Sequence, residues 1–211
     1  MLRMKNRAEK KPLRILAVSD IHGDQTRLAQ LVARAEKEKV DLVLLCGDFT
    51  FGDELAGPLI QPFLAKGKRV LLVPGNHESL ATAEFLAERY KIRNLHGKGV
   101  RYDDIGFFGC GGANIGIHQL SDDEIYEQLR HGFEQIKSCR KKIMITHIHP
   151  SRSIQEKMGL FPGSEGVARA LKSFKPELLL CGHVHEAEGL EESLKGTRIV
   201  NVSKSGKVLE L

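Results

Sequence analysis

No apolar run in this 211-residue chain approaches the ~18 residues of a membrane-spanning helix. The basic first residues lead into no apolar segment, so no secretory signal is expected. Internal repeats, low-complexity stretches and linkers are also missing. Residues 14–211 are therefore expected to form one domain, preceded by a basic and flexible tail at residues 1–13. None of the four cysteines (Cys46, Cys110, Cys139 and Cys181) lies in a C-x-x-C pair, which argues against a zinc knuckle or a thioredoxin-like motif. Cys46, Cys110 and Cys181 end apolar runs, where cysteine behaves as a small buried hydrophobe, and reduced thiols of a cytoplasmic protein are the expectation.

The body of the chain also lacks net charge. The formal charge is +5, and residues 1–14 account for all of it, with six bases (Arg3, Lys5, Arg7, Lys10, Lys11, Arg14) against Glu9. Elsewhere acids and bases cancel. The tail reads as a solvated segment rather than a nucleic-acid arm. A neutral body argues against an extended nucleic-acid-binding face, and neither nucleic acid nor membrane is the expected partner.

What is present is an alternation of strand and helix patterns. Residues 14–19, 41–46 and 69–73 read as buried strands, with further strands at 105–110, 142–145 and 177–181. Leu28, Leu31, Val32 and Ala35 recur at helical spacing. So do Ala83, Leu86, Ala87 and Tyr90, and again Val167, Ala170, Leu171 and Phe174. Ser121-Asp122-Asp123-Glu124 is a capping box for a helix whose inner face is Ile125, Leu129, Phe133 and Ile136. Residues 58–66 are expected to form a short helix started by Pro58. Residues 197–211 are expected to close the chain as a hairpin around Ser205-Gly206. The early βαβ rhythm and the glycine-rich, strand-rich remainder imply a mixed α/β (α+β) fold.

Five short strings each end an apolar run with metal-binding side chains. They are Asp20-Ile21-His22, Gly47-Asp48, Gly75-Asn76-His77-Glu78, Thr146-His147 and Gly182-His183-Val184-His185. Taken singly, each has a plainer reading: a helix cap, a strand-end Gly-Asp, a turn, a pair of surface histidines. Taken jointly, they place two Asp, one Asn and five His at strand ends, where open α/β sheets bind ligands. Mixed nitrogen and oxygen donors suit Mn, Fe, Zn, Ni or Co, whereas an all-oxygen set would suit Mg or Ca. A thiolate from Cys46 or Cys181 is not expected beside them. Two such ions can share a carboxylate and a hydroxide that attacks phosphorus. A further histidine outside the ligand set can protonate the leaving oxygen.

The ordered set D-x-H, G-D, G-N-H-E, single His and G-H-x-H resembles the calcineurin-like metallophosphoesterase superfamily over residues 20–185. The resemblance implies a four-layer αββα sandwich of two mixed β-sheets flanked by helices. It implies two divalent transition-metal ions, one held by Asp20, His22 and His185, the other by Asn76, His147 and His183, with Asp48 bridging. His77 would stand outside the ligand set, near the leaving group. The implied activity is a phosphoester hydrolase acting on a small phosphoester, with a metal-bridging hydroxide as in-line nucleophile.

Departures narrow the branch. Protein Ser/Thr phosphatases of the superfamily follow Gly-Asp with two residues and then Asp-Arg-Gly, and usually carry Arg before Gly-Asn-His-Glu. Here Phe49-Thr50-Phe51-Gly52 follows Asp48, and Pro74 precedes Gly75. The Asp that would pair with the catalytic histidine and the phosphate-binding Arg are thus absent. A compact phosphodiesterase-type member is the expectation. A phosphomonoesterase of a small metabolite or nucleotide is the alternative, and a protein-binding scaffold on the same fold the non-enzymatic one. His147, directly after its strand, is preferred over His149, which is expected to back the ligands or face substrate. His96, His118 and His131 are expected at the surface. Glu78 is left between orienting a histidine and capping the next helix, and the turn at 111–114 is a candidate pocket border.

Overall fold

A computed structural model of the chain describes residues 11–54, 57–158 and 161–211; residues 1–10 of the expected tail lie outside them. Eleven strands in the described residues form two sheets. The first contains β1 (Arg14–Val18), β2 (Leu42–Cys46), β3 (Arg69–Val73), β4 (Arg93–Asn94) and β11 (Lys207–Glu210), in the order β11-β1-β2-β3-β4. β1 to β4 are parallel and β11 runs antiparallel along β1. The second contains β5 (Gly99–Tyr102), β6 (Ile105–Cys110), β7 (Lys141–Thr146), β8 (Leu178–Cys181), β9 (Glu191–Leu194) and β10 (Thr197–Asn201), in the order β5-β6-β7-β8-β10-β9. Its four central strands are parallel and both edges antiparallel. Both sheets are therefore mixed.

The period of two in each strand divides its side chains between two cores. Leu16, Val18, Val43, Leu45, Val70 and Leu72 face outward from the first sheet. They meet Leu28, Leu31, Val32 and Ala35 of α1 (Gln25–Lys37), Phe63 of α2 (Gln61–Ala65), and Ala83 and Leu86 of α3 (Leu80–Tyr90). The alternate residues Ile15, Ala17, Leu42, Leu44, Leu71 and Val73 point the other way, onto Phe107, Ile143, Ile145, Leu178, Leu180 and Val200 of the second sheet. The outer face of that sheet buries Phe108, Met144, Leu179 and Ile199 against α4 (Asp122–Ile136) and α6 (Glu165–Phe174). Three cores between four layers make the αββα sandwich. A short helix α5 (Ile154–Lys157) lies in the connection from β7 to α6.

The capping box forms as expected at the start of α4, with Ser121 and Glu124 each satisfying the other's backbone. Two local expectations need correction. The short helix begins at Gln61 with Pro62 in its first turn, where a missing N–H leaves nothing unsatisfied; Pro58 lies before it. The final hairpin is β9–β10, turning at Lys195-Gly196, where both residues have positive φ (53° and 86°). The chain then leaves the second sheet: Ser203 bridges to Ser19, and β11 joins β1. Burial drives this exchange, because Leu209 enters the core between the sheets while Val208 packs on the outer core of the first sheet. No described helix is long and apolar enough to cross a membrane.

Candidate metal centre

β1, β2 and β3 of the first sheet and β7 and β8 of the second all end at one rim of the sandwich. Their exits carry Asp20/His22, Asp48, Asn76/His77, His147 and His183/His185, and all eight side chains converge. The plain capping role for the first pair is excluded, because Asp24 caps α1, accepting from the Arg27 N–H.

Four of these residues have left-handed backbones: Asp20 (φ 59°), His22 (49°), Asp48 (51°) and His183 (70°). This region is uncommon outside glycine, and its concentration in one place stores strain that the surrounding hydrogen bonds hold. Asp20 N–H donates to Gly47 O (3.0 Å) and His22 N–H to Asp48 O (2.9 Å). Gly182 N–H donates to His147 O (2.9 Å), tying the loops of the second sheet together. Gly47, at φ +93°, has no room for a Cβ beside His147 Nδ1, and a Cβ on Gly75 would overlap Asp48 itself.

Each carboxylate has one oxygen fixed by backbone and one aimed inward. Asp20 Oδ2 accepts from His183 N–H (3.2 Å), while Oδ1 lies 3.3 Å from His185 Nε2. Asp48 Oδ1 accepts from His77 N–H (3.0 Å), while Oδ2 lies 3.3 Å from His147 Nε2, 3.8 Å from His22 Nε2 and 4.0 Å from His77 Nε2. His22 Nε2 and His185 Nε2 are 3.3 Å apart, His147 Nε2 is 3.0 Å from Asn76 Oδ1, and His183 Nδ1 is 3.3 Å from His147 Nε2. Asp20, His22 and His185 form one group that could hold a cation, and Asp48, His147 and His183 another. Asn76 joins the second through His147. A third grouping, His22, Asp48 and His77, overlaps both.

The electrostatics fit a cation. Burial opposes the charge on Asp20, yet His185 and His147 outweigh it and hold its pKa below the ordinary carboxylate value. Burial likewise opposes Asp48, but His147 and the His77 N–H pull its pKa far down. His147 is fully buried, and burial disfavours its charge, yet the Asp48 carboxylate lifts it to about 9. A completely buried imidazole drawn into its charged form marks a site with an excess of negative charge. Its Nδ1 faces the carbonyl of Cys46 (3.0 Å), which fixes that nitrogen as the N–H and turns Nε2 to the site. Burial, with His147 second, depresses His183 to about 3, and burial lowers His22, so both present neutral lone pairs. His183 Nε2 is buried with no hydrogen-bond partner. These donors fit a pair of transition-metal ions better than they fit one another.

Two positioning residues escape local sequence reading. Glu78 neither caps α3, which Ser79 does, nor orients a histidine. Its buried carboxylate accepts from the N–H groups of Asp48 (2.9 Å), Gly75 (2.8 Å) and Thr50 (2.6 Å) and from Thr50 Oγ1 (2.9 Å), clamping the loops after β2 and β3 together. Burial and the Asp48 charge push its pKa up to about 7 against the donors of Gly75 and Thr50. Asn201, at the end of β10, donates to Val184 O (3.0 Å) and Gln155 Oε1 (2.8 Å), and so anchors the backbone between His183 and His185. Nothing adjacent to Asn201 in the chain signals this.

The remaining sequence candidates divide. His149 is fully buried, and burial depresses it to about 4 against the weaker pull of Glu156 and the Phe161 backbone. Cys46 and Cys181 sit in the apolar cores with their thiols pushed up by burial, that of Cys181 to about 12, which suits hydrophobes and not ligands. His131 is exposed. His96 is not a surface residue: it is half-buried, and its Nδ1 accepts from Gly111 N–H (3.2 Å), shaping the turn after β6. His118, expected at the surface, is half-buried: it pairs with Asp53 (3.3 Å), and its N–H donates to Asn76 O (3.1 Å), so it borders the site, while the turn at 111–114 packs on the loop after β3, Gly112 N–H donating to Pro74 O (3.0 Å).

Residues 13–187 match the family model for calcineurin-like phosphoesterases. No curated protein matches the sequence. Among solved structures, the protein TT1561 of Thermus thermophilus is similar with a TM-score of 0.72 and 22% identity, over 92% of this chain and 91% of that one. A novel archaeal phosphodiesterase is similar at a TM-score of 0.55 and 17% identity, over 94% and 99% of the two chains. A dimetal phosphatase from Danio rerio gives 0.61 and 12%, over 92% and 88%. At these identities the likeness speaks for the fold, and the family match speaks for the chemistry. The chain belongs to the calcineurin-like phosphoesterase family and is a hydrolase of phosphoesters.

Proposed function

We propose that the chain is a dinuclear metal-dependent phosphodiesterase. The observation that carries this reading is the convergence of two donor groups on either side of Asp48. In it, Asp20, His22 and His185 would hold one ion and Asn76, His147 and His183 the other, with Asp48 available to both. When bound, such a pair supplies Lewis-acid activation of water and positive charge facing the phosphoryl oxygens. The chain's own residues then set the geometry. The backbone N–H groups of His77 and His183 hold each Asp with one oxygen inward. The Cys46 carbonyl faces His147 Nδ1 and so turns Nε2 to the site. His77, half-buried, borders Asp48 Oδ2 at 4.0 Å and serves as proton donor to the leaving oxygen. The donor chemistry favours Mn, Fe, Zn, Ni or Co. Four free, buried cysteines support a reducing, cytoplasmic setting.

The archaeal phosphodiesterase and the missing Asp-Arg-Gly support a diester substrate, whereas the Danio rerio phosphatase keeps a small monoester as the second reading. Protein loaded with each metal is assayed on bis(p-nitrophenyl) phosphate and p-nitrophenyl phosphate. The diester is expected to react faster, with a loss of about a hundredfold or more in kcat for His77→Ala. A monoester preference of about tenfold in kcat/KM would replace the diester reading with the monoester one. Inactivity on both with every metal would favour a scaffold.

A further inference from the structure

Two large aromatic side chains stand exposed at the mouth of the metal centre, one beside each donor group. Phe51 is 61% exposed, with its ring stacked on His77 (centroids 5.0 Å apart, 26° between planes) and edge-on to His22 at 6.0 Å. Phe161 is 41% exposed and lies 5.3 Å from the ring of His183. A single exposed Phe is ordinary in a soluble protein. Two of them at one site, Phe51 against His77 and His22 and Phe161 against His183, form a lining.

Local structure holds Phe51 there. It follows Asp48 by three residues, and the chain around it is pinned at both ends. Thr50 is tied to Glu78, a bridge joins Phe51 to Glu54, and Asp53 N–H donates to His77 O (3.0 Å). Its neighbour Phe49, two residues back, takes the buried place in the outer core of the first sheet. The core is thus filled, and Phe51 is turned out over the histidines. This is the position at which protein phosphatases carry the acidic residue of Asp-Arg-Gly. Here a π-face replaces a carboxylate next to His77.

We propose that Phe51 and Phe161 form an aromatic clamp that selects phosphoesters bearing a planar ring, an aryl group or a nucleobase, close to phosphorus. The proposal rests on the phosphodiesterase reading and adds the substrate class. The Phe51 ring is offered on the His77 side, where the proposed function places the leaving alcohol, and the Phe161 ring on the His183 side, at the other donor group. A ring seated against either gains stacking that an alkyl ester cannot match, and base–aromatic stacking lost on truncation to Ala amounts to roughly 5- to 100-fold.

The test is calorimetric binding of phenylphosphonate, methylphosphonate and thymidine 5′-monophosphate to the Mn-loaded full chain, with no turnover required. Wild type is expected to bind phenylphosphonate about tenfold more tightly than methylphosphonate. The ratio should fall toward one in the Phe51→Ala/Phe161→Ala double variant and persist when both are changed to Tyr. A parallel gain for thymidine 5′-monophosphate extends the ring to a nucleobase; its absence confines the class to aryl esters. Equal binding of the two phosphonates by wild type, no binding of either, or an unchanged ratio in the double Ala variant would overturn the clamp. If the ring preference holds while no phosphodiester is hydrolysed, the clamp stands and the phosphodiesterase reading fails.

Discussion

At the scale of single residues, the site depends on groups that never reach into it. Glu78 holds three backbone N–H groups and a hydroxyl from two loops. Glu78→Gln preserves its shape but turns an amide NH2 toward donors, leaving buried N–H groups unsatisfied. The expected loss is about 1–3 kcal/mol of unfolding free energy, together with weaker metal binding, because Asp48 loses its anchor. Urea unfolding and metal titration read the two effects, and wild-type values for both would show that the clamp is dispensable. His96 carries a pH prediction. Burial lowers its pKa in the fold below the unfolded value of 6.5, with Glu84 opposing the shift and Lys98 adding to it more weakly. The folded chain therefore binds fewer protons than the unfolded chain as pH falls through 6.5, and stability present above that value is lost toward the lower folded pKa. The melting temperature of wild type should drop more between pH 7.5 and 5.5 than that of His96→Asn, which keeps an acceptor for Gly111. Equal drops would remove His96 from the acid response.

At the scale of elements, the centre is a set of strand exits, and their turns are sterically exacting. Gly75 passes so close to Asp48 that a Cβ would overlap its carboxylate and its backbone nitrogen. Gly75→Ala is expected to destabilise the chain by about 1–3 kcal/mol and to abolish stoichiometric metal binding, as followed by thermal melting and elemental analysis. Full metal content in this variant would mean that the two loops can part without harm. The strand exits were the legible part of the sequence. Short apolar runs ending in donor-rich strings marked β1, β2 and β3, and the 3.6 period marked α1 and α6 plainly. What was not legible came from contacts between distant segments. Glu78 joins loops that only the sheet brings together, Asn201 supports His183 and His185 from β10, and β11 changes sheets because Val208 and Leu209 need different cores. The left-handed backbones of Asp20, His22, Asp48 and His183 likewise depend on a hydrogen-bond frame and not on any local residue choice.

At the scale of the whole molecule, two mixed sheets with three cores form a stiff frame whose one rim gathers eight polar side chains. The negative charge at that rim, centred on Asp20 and Asp48 and met in part by His147, would be matched more fully by bound cations. Metal should therefore stabilise the folded chain. At a free concentration about a hundredfold above Kd, the gain is about 2.7 kcal/mol, or roughly 5–10 °C in Tm for a chain of this size. Asp48→Asn should lose most of that rise because it weakens both donor groups at once, and an undiminished rise in this variant would place the stabilising ion elsewhere. The most direct measurement is anomalous X-ray scattering from crystals grown with Mn. Two peaks are predicted about 3.5–4 Å apart, one among Asp20, His22 and His185, the other among Asn76, His147 and His183, with Asp48 between them and His77 bound to neither. A single peak, or strong peaks away from these side chains, would contradict the dinuclear centre.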